Sequence, residues 1–273
     1  MAMAYGGNGQ TIEVLTPVDS CINETSGLLL LNRKLITHND SGGKPVLFEF
    51  DTLSGKVTRT VYIKGVINKD WEDICADEEH IFIADIGNNN GKRTDLTIYK
   101  IKISDYLKKD TVSAETIHFS YGDQKEFGAG RFMTNFDAET LISIGDSLFL
   151  FSKNWGNHHT RMYAISKKPG TYDIFPKAEF KAKCLVTSGS YNSQNQEIVL
   201  CGYLLDKQFV MRLDNFKDNE LGKGVFVSQS FKVPENSSKQ IEGIVWDHGY
   251  TYFITAEAYQ KRSQVLYKLN WKP

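Results

Sequence analysis

NETSGLLLL (23–31), DWEDICAD (70–77), FDAETLIS (136–143), VTSGSY (186–191) and QIEGIVW (240–246) are one phrase written five times. Each copy sets an oxygen-bearing side chain (Ser26, Glu72, Glu139, Ser188, Glu242) ahead of a small or polar residue, and in four of the five an aliphatic residue follows. The steps between copies are 46, 67, 49 and 54 residues. After Glu242, 31 residues remain, and 25 precede Ser26, so the two ends together supply one more unit of similar length. A repeat that closes by joining its termini describes a ring, and a ring of strand units is a β-propeller.

The grammar around each phrase agrees. A short apolar run, a turn and a second apolar run follow it, with turns NRK (32–34), DEE (77–79), GDS (145–147), NSQNQE (192–197) and DHG (247–249). These are hairpin signals between strand formers. Outer hairpins are expected in VLFEFDTLSGKVTRTVYI (46–63) and in RMYAISKKPGTYDIFPKAEF (161–180). The last unit has VLYKLNW (265–271) alone, and its missing partner is TIEVLTP (11–17), a clasp that closes the ring without leaving edges. The expectation is an all-β fold, one propeller domain over 11–273 with five blades, preceded by a leader or expression-derived segment at 1–10. Six blades is the alternative, should the 67-residue step hide an irregular blade. That step contains GDQKEFGAGRFMTNF (122–136), which reads as a loop on one face, and ISDYLKK (103–109), which reads as a short helix.

Composition narrows the function classes. Hydrophobic residues are 41% and charged residues 24%, ordinary for a soluble globular chain. With 32 basic against 33 acidic residues the net charge is -1, which argues against a nucleic-acid surface. No apolar run approaches the roughly 18 residues of a membrane span. The cysteines, Cys21, Cys75, Cys184 and Cys201, form no CxxC pair and have no histidine at metal spacing, so zinc is not indicated. Buried free thiols are expected, with a Cys21 bridge to a late-blade cysteine as the other option.

The innermost strand of a propeller blade lines the central channel. Ser26, Glu72, Glu139, Ser188 and Glu242 are therefore expected in a ring around one mouth. Converging carboxylates repel one another, and burial raises their pKa values, which a bound cation relieves. Hard oxygen ligands without nitrogen or sulfur point to Ca2+. The other reading is that these side chains hydrogen-bond to backbone across the channel. The second strands end on the same face, bringing Asn39, Asp40, Asp85, Lys153, Asn154 and Glu257 to an outer ring. GNNNGKR (87–93) adds Asn88 and Arg93, and NWGNHH (154–159) adds Trp155. These residues suit a polar ligand. His38, His158 and His159 are candidate proton handlers. Asp137 and Glu139 lie two apart and point to one side of a strand.

ETSGL (24–28), DSGG (40–43), WED (71–73) and IEGI (241–244) resemble the calcium-activated nucleotidases, or apyrases. DWEDI (70–74) and ADIGNNNG (84–91) resemble a broad set of uncharacterised secreted bacterial propellers. The first resemblance implies a five-bladed propeller with Ca2+ in the channel, held by Ser26, Glu72, Glu139, Ser188 and Glu242. Asp40 matches the acidic residue after the first hairpin. FDAETL (136–141) and NWGNHH depart from the nucleotidase pattern. Three functions are carried forward. The first is a calcium-binding propeller of the cell envelope or exterior with a polar ligand site. The second is a metal-dependent hydrolase of a phosphoester, nucleotide or lactone, with Asp40, Asp85 or Glu257 as base. The third is a protein-interaction scaffold.

Overall fold

The computed structural model describes residues 5–7, 9–214, 220–234, 237–238 and 240–272. Its strands form five sheets, each led by one copy of the phrase. The innermost strands, Thr25–Leu31, Trp71–Ala76, Ala138–Ile144, Leu185–Asn192 and Ile241–His248, define blades 1 to 5. Each turns back through its expected hairpin into a second strand: Lys34–Asn39, His80–Asp85, Ser147–Ser152, Glu197–Leu204 and Thr251–Ala256. The clasp forms as the sequence implies. Gln10–Pro17 pairs antiparallel with Val265–Trp271, Gln10 opposite Trp271 and Pro17 opposite Val265. Tyr5–Gly7 adds an outer strand to the same sheet. Residues 1–4 and 8 lie outside the described residues.

Blade number follows from the packing. Among the described residues there are five large apolar clusters, one for each pair of neighbouring blades. Phe82 and Ile98 of blade 2 meet Leu148 and Tyr163 of blade 3, for example, and Leu28 and Leu35 of blade 1 meet Val245 and Leu266 of blade 5. Each fully buried Leu, Ile or Phe contributes about 1.5–3 kcal/mol, so the ring is held by interfaces and not by any blade alone. The long second step adds no sixth blade. It is taken up by the four-residue helix Ile103–Tyr106, the strand Thr111–Ser113 and the strandless loop 122–136.

One expected hairpin is split. Thr160–Ser166 does not pair with Gly170–Ile174 but with Pro176–Phe180. Gly170–Ile174 instead runs parallel to Glu115–Tyr121 on the edge of blade 2. Pro176 has no N–H to give a ladder, so it suits an outermost strand, and the chain is free to cross between blades just before it. Thr111–Ser113 similarly adds to the edge of blade 1 beside Val57–Lys64. Neighbouring blades are thus stitched at the rim as well as at the core.

The channel is closed in the middle by Asp73. Its carboxylate is fully buried and accepts hydrogen bonds from Ile74 N (2.9 Å), Leu141 N (2.8 Å) and Ser188 Oγ (3.1 Å). Gly189 N is a further donor. Gly27 of blade 1 packs against it at φ +68°, and a Cβ there would lie 2.7 Å from the Asp73 Cα. Gly27→Ala therefore combines left-handed strain with a clash against backbone, and is expected to cost roughly 2–4 kcal/mol. Gly145→Ala, at φ +53° with open space around it, should cost about 1 kcal/mol. Chemical denaturation of the two variants checks the difference, and equal losses would mean that the Gly27–Asp73 contact is not tight.

Candidate metal and ligand site at the channel mouth

All five inner strands slip register where the phrase sits. The slips fall between Ser26 and Leu29, Trp71 and Asp73, Ala138 and Thr140, Val186 and Ser188, and Ile241 and Gly243. A β-bulge carries an extra residue and re-aims its side chain. In blades 2, 3 and 5 the extra residue is a glutamate: Glu72, Glu139 and Glu242. All three line one cavity of about 280 Å³ at the channel mouth, and each is less than 10% exposed.

In blade 4 the register gives that place to Thr187, not Ser188. Thr187 Oγ1 donates to the Ile241 carbonyl at 2.7 Å. Ser188 lies one residue further in, where its Oγ donates to Asp73 and accepts from Ile244 N at 3.2 Å. It belongs to the floor of the channel. Ser26 does line the mouth, with its hydroxyl given to the Glu72 carbonyl at 2.7 Å. Ser26, Thr187 and Ser188 thus carry cross-blade hydrogen bonds, and the glutamates carry the charge.

Two oxygen groups stand out among the described residues. Asp40, Asp70 and Glu72 each offer a carboxylate oxygen within 4.8 Å of the others, and so do Glu72, Asp137 and Glu139. Asp40 Oδ1 is buried without a hydrogen-bond partner. Gly87 makes room for this cluster, since a Cβ there would stand 2.1 Å from Glu72 Oε1 and 2.3 Å from Asp70 Oδ2. Lys153 is the buried cation of the site. Its Nζ donates to both oxygens of Glu139, at 2.5 and 2.6 Å, and faces the rings of Trp155 and Tyr203 at 4.9 and 5.4 Å. Burial opposes the Lys153 charge, but Glu139 beside it holds the pKa well above the usual lysine value.

The other expected residues divide. Asp40, Lys153, Trp155 and Glu257 line the mouth, and Glu257 Oε1 accepts from Gln240 Nε2 at 2.7 Å. Asn88 and Arg93 line an adjoining cavity of about 310 Å³ that shares Asp70 and Arg131 with the mouth, and Asp85, Asn39 and Asn154 are bonded to neighbouring backbone and side chains. Asp85 accepts from Arg93 Nη2 at 2.8 Å and from Asp70 N at 3.2 Å. Asn88 N donates to Asp137 at 2.6 Å, and its Oδ1 accepts from Arg93 N. Asn39 clamps the preceding turn through Cys21 O and Glu24 N. Asn154 Nδ2 donates to Asn157 Oδ1 at 3.1 Å.

The histidines do not serve this cavity. His38 is fully buried edge-on against Trp71, and burial lowers its pKa to about 4, so it stays neutral. His159 pairs with Glu179 of blade 3. His158 sits in a left-handed turn at φ 55°. All four cysteines are free. Tyr203, at the end of a second strand, also lines the mouth, and Asp70 is the member of the acidic cluster that sequence reasoning missed. The signal for Asp70 was present, because Asp70–Glu72 repeats the two-residue spacing of Asp137–Glu139.

The crowding shows in the protonation equilibria. Burial, then the Asp70 and Glu242 charges, raises the Asp40 carboxyl to about 8. Burial and Asp137 raise Asp70 to about 6. Burial raises Glu242 to about 8, against the pull of Lys153, and Glu257 to about 7 with help from Asp40.

No protein-family model matches the sequence, and no curated protein matches it. Among solved structures the chain is similar to a PQQ-bound aldose sugar dehydrogenase from Streptomyces coelicolor, with TM-score 0.55 and 10% identity over 98% of this chain and 100% of that one. It is also similar to a gluconolactonase from Xanthomonas campestris, with TM-score 0.49 and 11% identity over 98% of this chain and 91% of that one. At such identity the first likeness establishes a shared fold alone. No helix among the described residues is long and apolar enough to cross a membrane.

The raised carboxyls give the pH dependence a definite sign. Between their ordinary pKa, near 4, and about 8, the folded state holds more protons than the unfolded one. Their stabilising effect is present in full below about pH 4 and is lost progressively as pH climbs to about 8, the Asp70 share by about 6. In chelator, the melting temperature should fall over that window, with the buried mouth carboxyls as the cause. A melting temperature that rises from pH 5 to pH 8 would contradict it.

Proposed function

We propose that this protein is a calcium-binding propeller whose channel mouth takes a small polar ligand. The observation that carries the reading is the convergence of Asp40, Asp70 and Glu72 oxygens within 4.8 Å, beside a buried and unpartnered Asp40 Oδ1. The donor set fits the ion, because every candidate ligand is a hard oxygen and neither sulfur nor imidazole joins the cluster. Asp40, Asp70 and Glu72 would hold it, with Glu242 and Ser26 lining the same cavity. A site of this kind suits the cell envelope or exterior, where weak calcium sites of extracellular modules fill.

A second reading, calcium-dependent hydrolysis of a lactone or phosphoester, is favoured by Glu257. It lines the same mouth, is fixed by Gln240, and has its pKa raised to about 7, near the working optimum of a general base. A bound divalent ion supplies polarisation of a carbonyl or phosphoryl oxygen. Lys153 and Tyr203 line the same cavity and would orient the ligand, and Trp155 offers a ring face fixed by its Nε1 bond to Asp137 at 2.7 Å.

Calcium added to chelated protein is expected to raise the melting temperature by about 5 °C or more, as a ligand that binds only the folded state does. Asp40→Asn with Glu72→Gln should melt no lower than the parent in chelator, because repulsion is relieved, and should not respond to calcium. Gly87→Ala should also lose the response, by displacing Glu72 and Asp70. An unchanged calcium response in both variants would refute this ligand set. No response in the parent would leave the acidic mouth as hydrogen-bonded structure and favour a scaffold role.

A further inference from the structure

The cavity of about 310 Å³ beside the acidic mouth is walled by two loops far apart in sequence, 87–93 and 122–136. Two backbone bonds clip these loops together: Gly128 N donates to Gly91 O at 2.9 Å, and Phe132 N donates to Asn89 O at 3.0 Å. The buried Gln124 adds a bond from its Nε2 to the same Gly91 carbonyl, also at 2.9 Å. The clip brings Lys92 from one loop and Arg131 from the other to a single cavity. The Lys92 stem runs past Gly128, where a Cβ would stand 3.1 Å from Lys92 Cε. Arg131 packs over the Phe132 ring at 4.7 Å, and that ring meets Trp155 of the mouth at 4.3 Å.

The cations of this cavity differ in what they already hold. Arg93 is fully engaged, donating to Gly87 O at 2.9 Å, Asp85 Oδ1 at 2.8 Å and Asp95 Oδ1 at 3.1 Å. Lys92 and Arg131 are exposed, and their side chains make no ion pair or hydrogen bond among the described residues. The amides of Asn89, Asn90 and Lys92, around the left-handed Gly91 at φ 63°, donate to no group among the described residues either. Amides grouped around a left-handed residue form a concavity that accepts an anion. Two exposed cations alone would make a solvated surface, but here the clip holds them over one cavity with unpaired amides in its wall. A carboxylate is satisfied by one bidentate arginine, whereas donors converging from two loops suit a tetrahedral oxyanion.

The shared wall fixes the conditions. Asp70 lines both cavities, and its carboxylate belongs to the oxygen cluster of the mouth. A bare Asp70 repels an anion in the next cavity. A divalent ion on Asp70 reverses the sign, because its charge dominates its surroundings. We propose, on the calcium reading above, that this cavity seats a phosphoryl group between Lys92, Arg131 and the 89–92 amides, so that the polar ligand of the mouth is a phosphorylated one.

The test is phosphorus NMR titration of the full chain with methylphosphonate, which carries a phosphoryl group and no ester to hydrolyse, in calcium and in chelator, each against a protein-free blank. In calcium the phosphorus line should shift to saturation, with affinity about tenfold or more above that in chelator, and methylphosphonate should tighten calcium by the same factor. Acetate should compete about tenfold less well or worse. Lys92→Gln with Arg131→Gln should keep the parent melting temperature and calcium response, and weaken methylphosphonate about tenfold or more. Unchanged affinity in the double variant would put the phosphonate on the metal alone and overturn the proposal. So would acetate binding as tightly as methylphosphonate, or equal affinity in calcium and chelator for a parent that binds calcium. No phosphorus shift in a parent whose melting temperature responds to calcium would refute this subsite and leave the metal site standing. Binding lost in the double variant, in a parent without a calcium response, would refute the metal site and leave the basic cavity standing.

Discussion

One carboxylate ties the ring together. Asp73 sits on the channel axis and takes hydrogen bonds from its own blade through Ile74, from blade 3 through Leu141, and from blade 4 through Ser188 and Gly189. Blade 1 closes on it through Gly27, and blade 5 joins through Ile244 N on Ser188 Oγ. Burial raises the Asp73 pKa well above the ordinary value, against the pull of these donors. A buried acceptor left unmatched costs on the order of 1–3 kcal/mol, so the inner strands of blades 2, 3 and 4 are held in register by the need to supply its donors. The same junction divides the channel into two chambers.

The mouth is acidic because the phrase falls on bulges. At its first position, glutamates in blades 2, 3 and 5 are the extra residues, and the bulges turn them into the mouth. A bulge is a small local event, yet it acts on a ring where neighbouring blades lie in contact, so it cannot be absorbed by relaxation. Gly87 marks the same constraint from the other side, as a position where a single methyl would collide with the acidic cluster.

The ring, its five blades and its terminal clasp were legible because they rest on periodicity and hairpin chemistry, which are local. The three glutamates at the mouth were legible for the same reason. What was not legible depends on pairing between blades. The crossing of Gly170–Ile174 to blade 2 has no local signal beyond the Pro176 that follows it. The one-residue offset in blade 4 was hidden because Ser188 and Thr187 both carry a hydroxyl, and only register tells them apart. Asp85 and Arg93 looked like free chemistry and proved to be each other's partners. Charged residues in a sequence announce a site more readily than they reveal which of them are already spent on holding it.

The clasp also sets the order in which this chain can be made. Thr11 lies beside Asn270 in the finished ring, 259 residues away in sequence. During synthesis blades 1 to 4 can stack as they emerge, but the interface between blades 5 and 1 has no partner until the last strand, Val265–Trp271, is complete. Until then Leu28, Leu35 and Phe50 face water, and the edge of Gln10–Pro17 is open. Closing so long a loop is slow, and exposed apolar edges aggregate while they wait. For this protein the vulnerable interval lies between the synthesis of Gln10–Pro17 and that of Val265–Trp271, and a chain that loses the Val265–Trp271 strand is a ring that does not shut.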